Sequence, residues 1–256
     1  MWRAVLLLLA ALAMSGCGVS SVASTATPTA PRSYSATILA DRPAAYWRMD
    51  ETSGTIMADA TGNGNSGEFA GTYTLGQPGG ITAGGSTAVA FDGQTGGASA
   101  PSSASLQMNT VTIELWIKKR AETEYGVYVA KNVAVGDGPG SGWFQLLNSH
   151  HDGRLQFRVT SDLDPALVST STLAPNTWYY VAATYDGTVA KLFVNGKLDA
   201  SLEVTATPKQ TADPVFIGHR PDGLFNDAVL DEVAIYPTAL AADRIAAHWR
   251  AASASR

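Results

Sequence analysis

Between Tyr34 and Tyr236 apolar residues recur at every second position, a period that admits little besides β-strands. Val111, Ile113, Leu115 and Ile117 point one way, while Thr112, Glu114, Trp116 and Lys118 point the other. Leu155, Phe157 and Val159 alternate in the same manner with Arg154, Gln156, Arg158 and Thr160. Such a strand packs one face on a core and leaves the other to water, the habit of antiparallel sheets. Residues 178–185 are aromatic and β-branched on both faces, which predicts a central strand buried twice. Asp186-Gly187 and Asn195-Gly196 bracket the apolar run 189–194, and such dipeptides are the strongest short-range hairpin signals. The pattern predicts an all-β fold of two antiparallel sheets packed as a sandwich. It breaks once, after Pro237, where Leu240, Arg244, Ile245, His248 and Trp249 recur at helical spacing. Ile245 and Trp249, four apart, share the face that packs on the sandwich edge.

Composition agrees with many strands and turns. Charged residues make up 15% of the chain and there are 25 glycines, against about 25% charged in an ordinary globular chain. The net charge of −5 comes without basic clusters. That argues against a nucleic-acid partner and against electrostatic attraction to anionic lipid. Cys17 is the only cysteine, so no internal disulfide exists and stability must come from the core. A domain of roughly 200 residues buries about 70% of its unfolded surface and needs no such staple.

The first residues have the parts of a secretory signal. Arg3 supplies charge, residues 4–13 are unbroken apolar, and Met14-Ser15-Gly16-Cys17 closes the run. The run is shorter than the roughly 20 residues of a spanning helix, which predicts a cleaved segment. It resembles the lipobox of bacterial lipoproteins, with Met14 where leucine is usual. The resemblance implies that Cys17 carries diacylglycerol and becomes the mature N-terminus, lipid-anchored to a bacterial membrane outside the cytoplasm. Residues 18–32, rich in Ser, Thr, Ala and Pro, read as a flexible tether. The expected organisation is a signal over 1–16, acylated Cys17 and tether over 17–33, one domain over 34–250, and a frayed tail over 251–256.

Four segments carry a further resemblance. Ala45-Tyr46-Trp47-Arg48-Met49-Asp50-Glu51 is followed by Asp59-Ala60-Thr61-Gly62-Asn63-Gly64-Asn65. Ala88-Val89-Ala90-Phe91-Asp92-Gly93 leads into the strand at Val111. The third segment is the hairpin from Asn176 through Asn195-Gly196, and the fourth is Leu230-Asp231-Glu232-Val233-Ala234-Ile235-Tyr236. In this order and spacing the chain resembles the laminin-G-like jelly-roll domains of the concanavalin A-like lectin/glucanase superfamily, over about Tyr34 to Trp249. The resemblance implies a jelly-roll sandwich that binds sugars, proteins or lipids, often with calcium and often beside an enzyme. Fold alone does not name the ligand.

Three kinds of chemistry are open to such a chain. Glycoside hydrolysis needs two carboxylates about 5 to 9 Å apart. The Glu-x-Asp-x-x-Glu strand of hydrolytic relatives is absent, as is Gly-x-Ser-x-Gly. Glu114 lies alone in its strand. Asp231 and Glu232 are adjacent, so in a regular strand they face opposite ways. His150-His151 beside Asp152-Gly153 reads as a turn. The expectation is therefore that the chain is not an enzyme. Calcium takes six to eight oxygen ligands; Asp59, Asn63 and Asn65 concentrate oxygens on a glycine-flexed loop, and Asp92 and Asp231 are candidates to complete the shell. The alternative is that Asp59 and the asparagines only close Asx-turns. For a ligand surface, the aromatic candidates are Tyr125, Tyr128 and Trp143, flanking a loop at 136–142, although strand tryptophans commonly serve packing. The leading expectation is an extracytoplasmic recognition module for a glycan or an envelope protein, with calcium as a possible cofactor. The alternative is a structural envelope lipoprotein acting through protein assembly. A glycan-active hydrolase stands third.

Overall fold

The computed structural model of the protein describes residues 33–81, 86–133, 142–159, 166–206, 208 and 210–254. The expected signal segment, Cys17 and most of the 136–142 loop lie outside these described residues. The chain opens with helix α1 (Tyr34–Ala40), then β1 (Ala45–Trp47), β2 (Ile56–Met57), β3 (Gly67–Ala70) and β4 (Tyr73–Pro78). It continues through β5 (Thr87–Asp92), β6 (Gly97–Ala100), β7 (Val111–Lys119), β8 (Val127–Val133), β9 (Gly142–Asn148) and β10 (Arg154–Arg158). The last elements are β11 (Leu167–Thr172), β12 (Tyr179–Tyr185), β13 (Val189–Val194), β14 (Lys197–Glu203), β15 (Val215–Ile217), β16 (Asp227–Tyr236) and α2 (Ala242–Ala254).

Two antiparallel sheets form the sandwich. The first runs β14-β13-β12-β7-β16-β5-β4, with β1 also on β16; the second runs β11-β10-β9-β8-β15-β6-β3-β2. Their inner faces meet in one core that includes Trp47, Phe91, Ile113, Leu115, Trp143 and Leu230. The alternation at β7 sends Val111, Ile113, Leu115 and Ile117 into that core. β12 is buried on both faces as expected, with Val181 and Ala183 inward and Tyr180 and Ala182 outward. The Asn195-Gly196 turn takes φ of +50° and +75°, the left-handed pair that a two-residue hairpin requires.

Two expectations are corrected, and one element is new. The outer face of β7 is not wet: Thr112 and Glu114 have no exposed surface, because Tyr34 and Ile38 of α1 and Ile245 of α2 close over that side. Helix α1 was not foreseen. Ser33 caps it, its hydroxyl accepting the Ala36 N–H at 3.3 Å, and its first residue is Tyr34. Helix α2 continues to Ala254 with Ala252 buried, so residues 251–254 are helix and not a frayed tail.

Candidate functional site

The loop at 59–65 is closed by its own hydrogen bonds. Asp59 Oδ1 accepts the N–H groups of Tyr46 and Thr61 at 3.2 and 3.0 Å, and Oδ2 accepts that of Asn65 at 3.0 Å. The Thr61 hydroxyl reaches both oxygens at 2.8 Å. Asn63 and Asn65 point their amide donors at the Ala44 carbonyl, at 3.0 and 2.7 Å, and Ser103 donates to Asn65 Oδ1 at 2.6 Å. A shell of N–H and O–H donors is the wrong lining for calcium, which needs six to eight free oxygens. Asp92 closes a separate turn, Oδ1 accepting from the backbone of Gln94, Thr95 and Gly96. Asp231 stands elsewhere again. Among the described residues Asp59, Asp92 and Asp231 are not brought together as one cluster.

Two of the three aromatic candidates are also corrected. Tyr128 and Trp143 have no exposed surface. Trp143 packs edge-on against Phe144 and Tyr185, with ring centroids 5.6 and 6.2 Å away, and Tyr128 donates to Asn148 Oδ1 at 2.7 Å inside the fold. A ring without surface cannot stack on a ligand. Tyr128 lies where the register of β8 to β9 shifts between Val127 and Val129, and the consecutive Trp143 and Phe144 both join the core, which alternation alone hides. Tyr125 remains outside, half-buried, meeting His150 edge-on at 5.0 Å.

Tyr125 borders the larger feature, the outer face of the second sheet, which no described helix covers. Strand register sets Ile56 opposite Glu68, Glu68 opposite Ser99 and Ser99 opposite Phe216. Phe216 in turn faces Ala130, Ala130 faces Gln145, and Gln145 faces Arg158. Directly opposed residues in an antiparallel pair share a face, so these seven side chains form one row across β2, β3, β6, β15, β8, β9 and β10. Polar groups in it are held rigidly. Arg220 Nη1 donates to Gln145 Oε1 at 2.9 Å while its Nε donates to Asp222 Oδ1 at 2.7 Å; Arg158 Nε donates to Gln156 Oε1 at 3.1 Å. The Arg220 hydrogen bonds hold the Asp222 carboxyl below the usual carboxylate range. Beside them, the half-buried Phe216 ring meets His219 edge-on at 5.4 Å, and His219 stacks on Phe225 at 5.6 Å. Gly97 makes room for His219, since a Cβ there would stand 2.0 Å from the imidazole Nδ1. Phe216, Gln145 and Arg220 went unnoticed in the sequence. The alternation gives each strand's outer face, but only the pairing of distant strands assembles the row.

On the first sheet, a seam gathers the acids. β16 pairs with β5 over Asp227–Leu230 and then with β1 over Val233–Ile235. At the handover its register to β7 shifts between Asp231 and Ala234, and Glu232 adopts a left-handed φ of +56°. This is a β-bulge, which re-aims side chains. Asp231 Oδ2 accepts from Gly80 N at 2.8 Å and Ser86 Oγ at 3.1 Å. The Tyr46 hydroxyl donates to Glu232 Oε2. Burial pushes both carboxyls above the usual range, and the neighbouring Asp231 charge raises Glu232 further. The expectation that the two acids diverge fails, because the extra residue breaks the alternation on which it stood.

A family model described as the concanavalin A-like lectin/glucanases superfamily matches residues 92–246. No curated protein matches the chain in sequence. Among solved structures, domain 4 of the extracellular arabinanase AbnA from Geobacillus stearothermophilus, in complex with arabinotriose, is 17% identical. That match has a TM-score of 0.60 and covers 80% of this chain and 97% of that one. The Trypanosoma rangeli sialidase is 13% identical with a TM-score of 0.61, over 80% of this chain and 32% of that chain, so the match spans about a third of the sialidase. The binding domain of Paraclostridial Mosquitocidal Protein 1 is 14% identical with a TM-score of 0.60, over 82% and 52%. At such identities the likeness is one of fold. It corrects the expectation that the chain is not an enzyme: the same sandwich occurs within chains of glycoside hydrolases, and the fold does not settle the matter. The bulge at Glu232 removes the geometric argument as well.

Proposed function

The chain belongs to the concanavalin A-like lectin/glucanases superfamily, and from that premise we propose that it recognises a glycan along the open face of its second sheet. The observation that carries this reading is the row from Ile56 to Arg158, with the Phe216 ring at its centre. Ala130 and Gln145 in the row are buried, so its accessible stretch runs from Ile56 to Phe216, three interstrand steps of about 4.8 Å or about 14 Å, enough for two or three sugar rings. The Phe216 face offers an apolar platform to the C–H groups of a sugar. Arg220 and Asp222, fixed by each other and by the buried Gln145, offer donors and acceptors to its hydroxyls at little further cost in ordering. The likeness to an arabinanase domain solved with arabinotriose supports a saccharide ligand. In this reading the domain works outside the cytoplasm, held to a bacterial membrane through an acylated Cys17.

The test is a glycan array probed with the protein and with Phe216→Ala, in calcium and again in chelator. The protein is expected to retain a defined glycan, and F216A to weaken it about tenfold, the equivalent of roughly 1.4 kcal/mol. Chelator is expected to change nothing, since the Asp59 oxygens are already taken. Absence of retention by the protein, or equal retention by F216A, would overturn the proposal. Retention lost in chelator would restore an ion to the site.

A further inference from the structure

The seam on the first sheet opens into a hollow of about 370 Å³, on the other side of the sandwich from the row at Phe216. Its walls include Tyr34 and Ser35 of α1, Arg48 and Asp50 after β1, Ser86 before β5, and Glu232. Arg48 Nη1 holds Asp50 Oδ2 at 2.8 Å, so these two charges cancel. What remains is acidic and incompletely bonded. Glu232 is 3% exposed; Tyr46 occupies its Oε2, and its Oε1 accepts no hydrogen bond among the described residues, with Arg48 Nε 3.9 Å away. Asp231 Oδ1 and Arg48 Nε are both buried without a hydrogen-bond partner among the described residues.

Buried charged atoms left without partners are costly; Asp231 Oδ1 and Arg48 Nε are two such atoms, and Glu232, on the wall of the hollow, has at its Oε1 only the 3.9 Å approach of Arg48. Two acid oxygens call for donors and one guanidinium nitrogen calls for an acceptor. Among the described residues no three His, Cys, Asp or Glu side chains are set to hold a metal ion. An ammonium group needs only acceptors in reach, with no closed shell. We propose that this hollow binds a protonated primary amine carried by a small hydroxylated molecule, the class of an amino sugar, with the ammonium on Glu232 and a hydroxyl on Arg48. The Ser35 and Ser86 hydroxyls stand on the same walls to meet the rest of it. Burial raises both acids toward their protonated forms, so the ammonium enters in exchange for a proton.

The probes are D-glucosamine and its neutral counterpart N-acetyl-D-glucosamine, titrated calorimetrically into the full chain in an amine-free buffer. D-Glucosamine is expected to bind at least tenfold more tightly than the acetylated sugar. Glu232→Gln is expected to lose at least tenfold of that binding, while the glycan retention that depends on Phe216 stays. Ser35→Trp, which fills the hollow and leaves both acids in place, is expected to show the same loss and guards against a folding defect in E232Q. Equal binding of the two sugars, binding of neither, or a loss in F216A in place of E232Q would overturn the proposal.

Discussion

His248 has no exposed surface, yet it stands between two carboxylates from different elements. Its Nδ1 lies 2.9 Å from Glu114 Oε2 on β7, and its Nε2 lies 2.7 Å from Asp41 Oδ2 after α1. Arg244 also holds Asp41, at 2.6 Å, and the Tyr180 and Tyr236 hydroxyls donate to Glu114 at 2.5 and 2.7 Å. Burial pulls the imidazole pKa down, but the bonds and charges of Glu114 and Asp41 outweigh it and raise it above the ordinary value. The folded state therefore holds this proton more tightly than the unfolded chain. The resulting stability is fully present below about pH 6.5, the unfolded value, and is lost as pH rises through the folded one. Urea midpoints of the protein are expected to fall from pH 6.5 upward, with that part of the slope removed in His248→Gln. Asp231 and Glu232 are raised too and carry the same sign from about pH 4 upward, so the informative quantity is the difference between protein and variant. Parallel curves would refute the assignment. None of this was legible at Glu114, whose partners are 66, 122 and 134 residues away; the strand pattern marked it only as facing out.

Hairpins were legible because their chemistry is local, and the clearest case shows how far local chemistry reaches. Gly196 serves the β13–β14 turn through its φ of +75°, but a Cβ there would also lie 2.9 Å from the Cβ of Trp249 on α2. The turn is fitted to the helix that lies on it. Gly196→Ala is expected to destabilise by about 1–3 kcal/mol for the left-handed backbone, plus the displacement of α2. Gly62, at φ +79° with nothing within 4 Å, supplies the control for backbone strain alone. If Gly62→Ala lowers the melting temperature as much as G196A, the helix contact contributes nothing. The bulge in β16 was not legible by the same logic, since its cause is the handover from β5 to β1 on one edge. Helix α1 left a faint trace: a Ser33 cap and the pair Tyr34 and Ile38, four apart, too short a run to outweigh the strand pattern around it.

For the whole molecule, the two-sheet architecture could be read in advance because a period of two repeated over many segments leaves few alternatives. The open face could not, because a row crossing seven strands depends on pairings such as Ser99 with Phe216, far apart in sequence. Attachment to a membrane is a question of the same scale, and it reduces to one atom. No helix among the described residues is long and apolar enough to cross a bilayer, and a net charge of −5 gives anionic lipid nothing to attract. If Cys17 is acylated, the hold comes from the chains on it, at about 0.8 kcal/mol per buried CH₂ and firm only with more than one chain. A single cysteine makes the experiment unambiguous. Expressed in a bacterium fed an alkyne fatty acid, the protein is expected to carry the label and sediment with membranes, and Cys17→Ser to carry none and stay soluble. A C17S variant that still sedimented would mean that the folded domain itself holds the membrane, and an unlabelled parent would remove the lipid altogether.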